Sequence, residues 1–282
     1  MGNIRSNYGR SRARKPQVTA LAMPMFAHRS PPDIAGALTW VRERFPDCPP
    51  IGALEGSDDT FTASIPGGQI GMAFVSAPVT SGDLEGPTAL AWHWPSASAT
   101  VAAHVAHEIC FANSPELDFI ALRLLHSRVI AGIAAVGSAT AVYVGSSRLV
   151  REGQAYIAHI EQASRENLPL LSWLGFNPAE EESGRSAYTS GLGEFGLLEL
   201  EIRNSALQWP DLFEFLANVA HYELATNVQI GDGETIGGSE SERIVVRHLR
   251  SRFIPDTTVA RIALPSVVGR FSPLRVCHRV SV

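Results

Sequence analysis

The stretch Thr60–Ser76, TFTASIPGGQIGMAFVS, decides how the first half of the chain folds. Its two apolar parts, Thr60–Ile65 and Gln69–Ser76, have the composition that is typical of β-strands. Pro66-Gly67-Gly68 lies between them and predicts a tight turn, because glycine adopts a positive φ angle without a steric penalty. The stretch therefore predicts a β-hairpin.

The segments on either side of this hairpin complete a recognisable order. Gln17–Phe26 is apolar and predicts a strand, and Ser30-Pro31-Pro32-Asp33 is a start signal for the helix that follows it. Beyond the hairpin, helical segments lead to a predicted strand at His104–Phe111. The resulting order β-α-β-β-α-β is that of a ferredoxin-like unit.

The second half of the chain can be read in the same order, and Phe195–Ile202 is its clearest strand because leucine and isoleucine alternate there with glutamate. We therefore predict an α+β fold made of two tandem ferredoxin-like (βαββαβ) units packed into one body, with their uncovered sheet faces masking one another. The predicted divisions are a disordered basic leader (1–16), a first unit (17–113), a linking helix (114–137) and a second unit with C-terminal strands (138–282).

Composition excludes several classes of protein. Hydrophobic residues make up 45% of the chain, which is enough for a sizeable core and excludes a wholly disordered protein. The net charge of −5 argues against a general binder of nucleic acids or anionic membranes. Cys48, Cys110 and Cys277 lie far apart without CxxC or zinc spacing, which predicts no metal site and favours a reducing cytoplasm.

Two segments bear on membranes. The N-terminal residues Met1-Gly2-Asn3-Ile4-Arg5-Ser6 match a myristoylation pattern and open an arginine-rich run, although a disordered leader is the favoured interpretation. The uncharged run Val129–Ser147 is just long enough to cross a bilayer. Gly137 and the strand-like Ala141–Val144 favour a helix followed by a buried strand, so no membrane span is predicted.

Four polar residues on predicted strands are candidates for a pocket: His104, Glu108, Glu199 and Glu201. On a helix, His104, His107 and Glu108 would share a face and could hold a metal. On a strand, His104 and Glu108 point one way and His107 the other, and the alternative is one sheet-face histidine and one satisfied core histidine. Glu199 and Glu201 share a strand face and could do acid–base work if sealed from water, whereas the alternative is a solvent-facing row. Convergence of all four would indicate a small-molecule or metal-dependent site between the two sheets, of a hydrolytic kind.

A second set of residues suits contact with a partner protein: Trp92, Trp94, Glu180, Glu181, Glu182, Asp232 and Glu234. Tryptophans anchor interfaces, and they also cap cores. The loop around Asp232 fails as a calcium loop, because Ile236 and Arg243 stand where oxygen ligands are needed. A glycine-rich turn or a partner-contacting loop remain as its alternatives.

Several short motifs together resemble an uncharacterised family of bacterial proteins that contain a domain of unknown function, with a likeness over about residues 18–250. They are Met23-Pro24-Met25, Ala91-Trp92-His93-Trp94-Pro95, His104–His107, Asp232–Gly237 and the pattern of Thr189, Gly191, Leu192, Phe195, Gly196, Glu199 and Glu201. The resemblance implies no catalytic residues. It implies an immunity or adaptor role near toxin and secretion genes.

These observations favour a non-enzymatic, cytoplasmic, protein-binding protein of the immunity, adaptor or chaperone-like kind. No nucleophile elbow or dinucleotide-binding glycine motif is present in the sequence, so no catalytic residue and no cofactor are predicted. The acidic net charge and acidic loops favour a basic partner. The pocket between the sheets is the alternative function, and self-association through open sheet edges is a third.

Overall fold

The structure is a computed structural model of the 282-residue chain. It describes residue 19, residues 21–57, 59–237 and 243–264, and the backbone of residues 275–277. The predicted basic leader and its myristoylation-like start lie outside the described residues.

The described chain divides into two compact bodies. The first body runs to Asn177 and also includes Thr189–Phe195. The second body comprises Pro178–Tyr188 and the described residues from Gly196 onward. Each body contains one seven-stranded sheet, so the α+β class with two sheets is confirmed.

The sheet of the first body is antiparallel throughout, in the order β2-β3-β4-β5-β1-β6-β7. Its strands are β1 (Ala22–Phe26), β2 (Leu54–Ser57), β3 (Thr60–Ile65), β4 (Gly68–Val75), β5 (Ala106–Asn113), β6 (Ala141–Val144) and β7 (Leu149–Glu152). The predicted hairpin is therefore confirmed as β3–β4, and Gly67 in its turn has a φ of +65°.

Helices pack against this sheet, and a short 3-10 helix lies at Leu192–Phe195. The helices are α1 (Ile34–Arg44), α2 (Ser81–Ala89), α3 (Ala97–Ala102), α4 (Phe119–Val136), α5 (Gly153–Glu161) and α6 (Leu170–Trp173). Helix α4 contacts α1, β1 and β5, and its close approach to α1 needs a glycine, since a Cβ on Gly132 would lie 2.7 Å from the carbonyl oxygen of Ala37. Met25, on β1, packs with residues of α2 and α3 and with Trp94.

The segment predicted as a linking helix (114–137) does not connect two units. Helix α4 occupies most of it and joins β5 to β6, which lie on either side of β1 in the sheet. Since α4 is packed on α1, β1 and β5, the segment is an integral part of the first body rather than a connection between units. The division between bodies accordingly does not fall at residue 113 or 137.

The sheet of the second body has the order β14-β11-β12-β13-β10-β9-β8, in which β10 and β13 are parallel. Its strands are β8 (Gly175–Glu181), β9 (Gly184–Ser190), β10 (Glu199–Ser205), β11 (Thr235–Gly237), β12 (Ile244–Arg250), β13 (Thr258–Ile262) and β14 (Arg275–Cys277). Within the described part of this body there is one α-helix, α7 (Trp209–Thr226). A second βαββαβ unit is not confirmed, because that order needs two helices.

Helix α4 is the one described helix that is long and apolar enough to cross a membrane by length and composition. Its 18-residue window has a mean hydropathy of 1.7, and 78% of that window is buried inside the protein. Core helices of soluble proteins meet the same criterion. The helix ends at Val136 and is followed by β6, as the sequence predicts.

Candidate functional site

His104 lines a surface cleft of about 460 Å³ in the first body, between α2, α3 and the loop before α2. Its Nε2 accepts a hydrogen bond from the backbone N–H of Val79 at 2.8 Å, and its Nδ1 bonds to the carbonyl oxygen of Val101. Because Nε2 accepts from Val79, Nδ1 is the donor to Val101, so both ring nitrogens are occupied. His104 therefore stabilises the wall of the cleft.

Glu108 lies on β5 with only 1% of its surface exposed. Neither carboxylate oxygen has a hydrogen-bond partner within the described part of the chain. Burial raises its pKa to about 8, and the negative charge of Asp59 adds to the effect. At neutral pH this side chain is therefore mostly a protonated, uncharged acid.

Glu199 and Glu201 lie on β10, in the second body, where they pair in register with Val259 and Arg261 of β13. Glu201 is fully buried, and its Oε1 accepts a hydrogen bond from Nε of Arg261 at 2.8 Å. Nη2 of Arg261 completes the ion pair, also at 2.8 Å, and donates a hydrogen bond to the carbonyl oxygen of Arg250. Its Oε2 accepts from Ser251 Oγ at 2.6 Å and from the backbone N–H of Arg252 at 3.1 Å. These bonds tie β10 to β13 and to the β12–β13 connection, and they identify Glu201 as a structural carboxylate.

The two tryptophans of the predicted aromatic knot have different environments. Trp94 is buried and packs in the core against Met25 and residues of α2 and α3. Trp92 is 52% exposed, and its indole Nε1 donates to the carbonyl oxygen of Phe176 at 3.0 Å. Its ring also meets His93 edge-on, with centroids 5.6 Å apart. The indole of Trp92 is therefore half-exposed, and its hydrogen bond to Phe176 fixes its orientation.

The acidic turn between β8 and β9 is partly committed to internal contacts. Glu181 forms a bidentate ion pair with Arg203 and accepts a hydrogen bond from Ser186. The hydrogen bonds from Arg203 lower the pKa of the Glu181 carboxyl. Glu180 and Glu182 are exposed on the same turn.

The second acidic loop is stabilised by its own carboxylates. Asp232 Oδ1 accepts from the backbone N–H of His248 at 2.9 Å, and Glu234 Oε2 accepts from the backbone N–H of Gly231 at 2.8 Å. Gly233 between them has a φ of +78°, which suits glycine. These bonds explain the loop as a turn in front of β11.

Buried polar groups that sequence reasoning missed lie around α4 in the first body. Arg123 Nη1 lies 3.1 Å from His126 Nδ1, and its Nη2 lies 3.6 Å from a carboxylate oxygen of Glu194. Ser127 accepts a hydrogen bond from the indole of Trp173 at 2.8 Å. The sequence signal that could have found them is the presence of polar residues inside a strongly apolar helix, since buried polar groups need hydrogen-bond partners.

A second set of missed residues lies on different elements of the first body: His93, Arg151 and His159. Arg151 lies on β7, a strand that the sequence analysis did not predict. The residues are separated in sequence and share no motif, so no local pattern could have grouped them. In the part of the chain that the structure covers, no group of three or more His, Cys, Asp or Glu side chains could hold a metal ion.

The segment from the end of β9 to the end of β13 is the part of the chain that has a recognisable family. Residues 188–263 match the Domain of unknown function (DUF4261). The DUF4261 segment contains the quoted pattern from Thr189 to Glu201, so the resemblance to a domain of unknown function is confirmed there. The motifs around Met23 and Trp92 lie outside it.

Comparison with curated proteins and with solved structures gives no match. The DUF4261 match therefore stands as the family evidence, and it assigns no role to any residue.

Proposed function

We propose that this protein is a non-enzymatic binding protein that contacts a partner protein through Trp92 and Leu171. The observation that carries the proposal is their exposure: Trp92 is 52% exposed and Leu171 is 47% exposed. The two lie in one region, because His93, next to Trp92, is within electrostatic range of Arg151, and Arg151 donates a hydrogen bond to the carbonyl oxygen of Leu171. We call these two side chains the Trp92–Leu171 surface.

Physical properties of this surface suit recognition. An exposed tryptophan offers a large apolar area, and burying it excludes water from that area on binding. The hydrogen bond to Phe176 restrains the indole, so less side-chain entropy is lost when a partner docks. The candidate acid–base residues support a non-enzymatic role, since His104 and Glu201 are held by internal hydrogen bonds and Glu108 is sealed.

For the kind of binding we propose the role that the sequence predicts: immunity-type, adaptor or chaperone-like, in the cytoplasm. Glu180 and Glu182 are exposed carboxylates on the β8–β9 turn, and they support a partner with a basic surface.

The test is photo-cross-linking from position 92 in the organism that encodes the protein. A benzoylphenylalanine at position 92 is expected to capture one partner, and the same residue at position 249 is the control because Leu249 is an exposed leucine of the second body. With that partner purified, Trp92→Ala and Leu171→Asp are expected to weaken binding by about 30-fold or more, as for an interface hot spot. Equal capture at both positions, or unchanged affinity in both variants, would contradict the proposal.

A small-molecule site is the second candidate function, and the cleft beside His104 is the observation that favours it. Thr80, Thr88 and Ser98 contribute hydroxyl groups and Glu85 contributes a carboxylate to a mainly apolar wall, which suits a small polar ligand that carries hydrogen-bond donors. A fragment library observed by NMR is expected to give binders whose signals vanish in Ala102→Trp, a change that fills the cleft. Binders that persist in this variant would lie elsewhere.

We also propose a ferredoxin-like arrangement for β1, α1, β4, β5, α4 and β6. The strands of this path lie in the order β4-β5-β1-β6, all antiparallel, which supports one βαββαβ unit within the first body. The β2–β3 hairpin and β7 extend the sheet at its two edges.

A further inference from the structure

Three basic side chains of the first body lie near one another around strand β7. Arg151 is on β7 itself, His93 is in the connection between α2 and α3, and His159 is on α5. Arg151 and His159 contact the adjacent residues Leu171 and Ser172 of α6, and both are within electrostatic range of His93.

Arg151 differs from the other buried arginines of this body. Arg123 lies 3.6 Å from Glu194, and Arg128 lies 3.0 Å from Asp47, so each has a carboxylate. Arg151 is only 8% exposed and has no carboxylate within ion-pair distance among the described residues. Burial lowers its pKa to about 10, and no acidic group offsets that effect.

The guanidinium of Arg151 is also incompletely used. Its Nε donates to the carbonyl oxygen of Leu171 at 2.6 Å, which fixes the orientation of the group. In the described chain no hydrogen bond is formed by the two Nη nitrogens, which remain as a fork of donors. Such a fork matches the two oxygens of a carboxylate or phosphate group.

The two histidines supply further donors. The Nε2 atom of His93 is buried and has no hydrogen-bond partner among the described residues. Burial, followed by the positive charges of Arg151 and His159, lowers the pKa of His93 to about 4. His159 Nδ1 lies 3.3 Å from Ser172 Oγ, and its pKa is lowered by burial and by Arg151. Among the described residues, the cluster thus leaves His93 Nε2 without a hydrogen-bond partner and Arg151 without a negative charge.

We infer that His93, Arg151 and His159 form a binding site for an oxyanion, namely a carboxylate or phosphate group. The anion would accept hydrogen bonds from the Nη atoms of Arg151 and from His93, and its charge would offset a buried cation that has no counter-ion in the described chain. The site is adjacent to the Trp92–Leu171 surface through His93 and through the Leu171 carbonyl, but it does not depend on a protein partner.

The experiment titrates the full chain at neutral pH with inorganic phosphate and, separately, with N-acetyl-leucine, at constant ionic strength. Histidine Cε1–H resonances and calorimetry report binding, and sodium chloride is the control for screening. We expect saturable binding of at least one probe. Arg151→Gln and His93→Gln are expected to weaken it about tenfold, as when a charged hydrogen bond is lost.

Arg148→Gln is the matched control, because Arg148 is an exposed arginine three positions before Arg151, and it is expected to leave binding unchanged. Stronger binding of phosphate or of N-acetyl-leucine identifies the source of the anion, and either result supports the site. His93→Gln removes no buried charge, so it remains informative if Arg151→Gln fails to fold. Absence of saturation by both probes, or equal affinity in wild type and a folded cluster variant, would overturn the inference. Neither result bears on capture of a protein at position 92.

Discussion

Replacing Glu201 with alanine is expected to lower the free energy of unfolding by about 3 kcal/mol. Removing one partner of a buried ion pair costs about 3–5 kcal/mol, because the other charge loses its compensation. The lower end applies here because the Arg261 side chain is 22% exposed and can regain some hydration. The change also leaves Ser251 and the backbone N–H of Arg252 without their acceptor.

Urea denaturation of the full chain measures this effect through the midpoint and slope of the transition. Glu182→Ala is the matched control, because it removes an exposed carboxylate from the same body and is expected to change stability by less than about 0.5 kcal/mol. A Glu201→Ala protein as stable as the control would contradict the assignment of Glu201 as a structural carboxylate.

Glu108 is expected to make the first body less stable as the pH rises from about 5 to 8. In the folded protein its pKa is raised from 4.5 to about 8, so the folded state keeps the proton over this interval while the unfolded state releases it. The stabilisation linked to Glu108 is therefore complete below pH 4.5 and is lost as the pH rises through 8. The loss amounts to at most about 1.4 kcal/mol per pH unit.

Comparison with Glu108→Gln isolates this contribution, since glutamine is uncharged at every pH. The variant is expected to be about as stable as wild type at pH 5 and more stable by about 2–4 kcal/mol at pH 8. Glu116→Gln removes an exposed carboxylate of the same body and is expected to give a difference that hardly changes with pH. A stability difference between wild type and Glu108→Gln that stays constant from pH 5 to 8 would show that Glu108 titrates normally.

Local signals in the sequence were sufficient for several elements. The Pro66-Gly67-Gly68 turn, the helix of α4 and the alternating strand β10 were all predicted, because each depends on neighbouring residues along the chain. The apolar run Leu168–Phe176 forms helix α6 at its centre and enters strand β8 at its end. A short apolar run has no period that distinguishes a helix from a buried strand, so its packing decides the outcome.

The order of the strands needed long-range information. Strand β1 lies between β5 and β6 in the sheet. Both strands come much later in the chain, and β6 follows only after helix α4. Strand β7 was missed because it has only four residues, and β9 was missed because its glycine, serine and threonine residues are typical of a loop.

The candidate site residues also depend on contacts between residues that are distant in the sequence. The sequence singled out Glu201 as polar on a predicted strand, but its partner Arg261 is sixty residues away and arrives through the parallel pairing of β10 and β13. Trp92 and Trp94 are two residues apart, and only packing places one in the core and the other at the surface.

The sequence by itself determined the α+β class, the β3–β4 hairpin, the main helices and the relation to a domain of unknown function, since these follow from local propensity, period and motif. Only the tertiary structure decided which polar atoms form internal hydrogen bonds and which, such as the Nη nitrogens of Arg151 and Nε2 of His93, have no hydrogen-bond partner in the described chain. The physical reason is that burial and electrostatic compensation depend on residues that are distant in sequence and close in space.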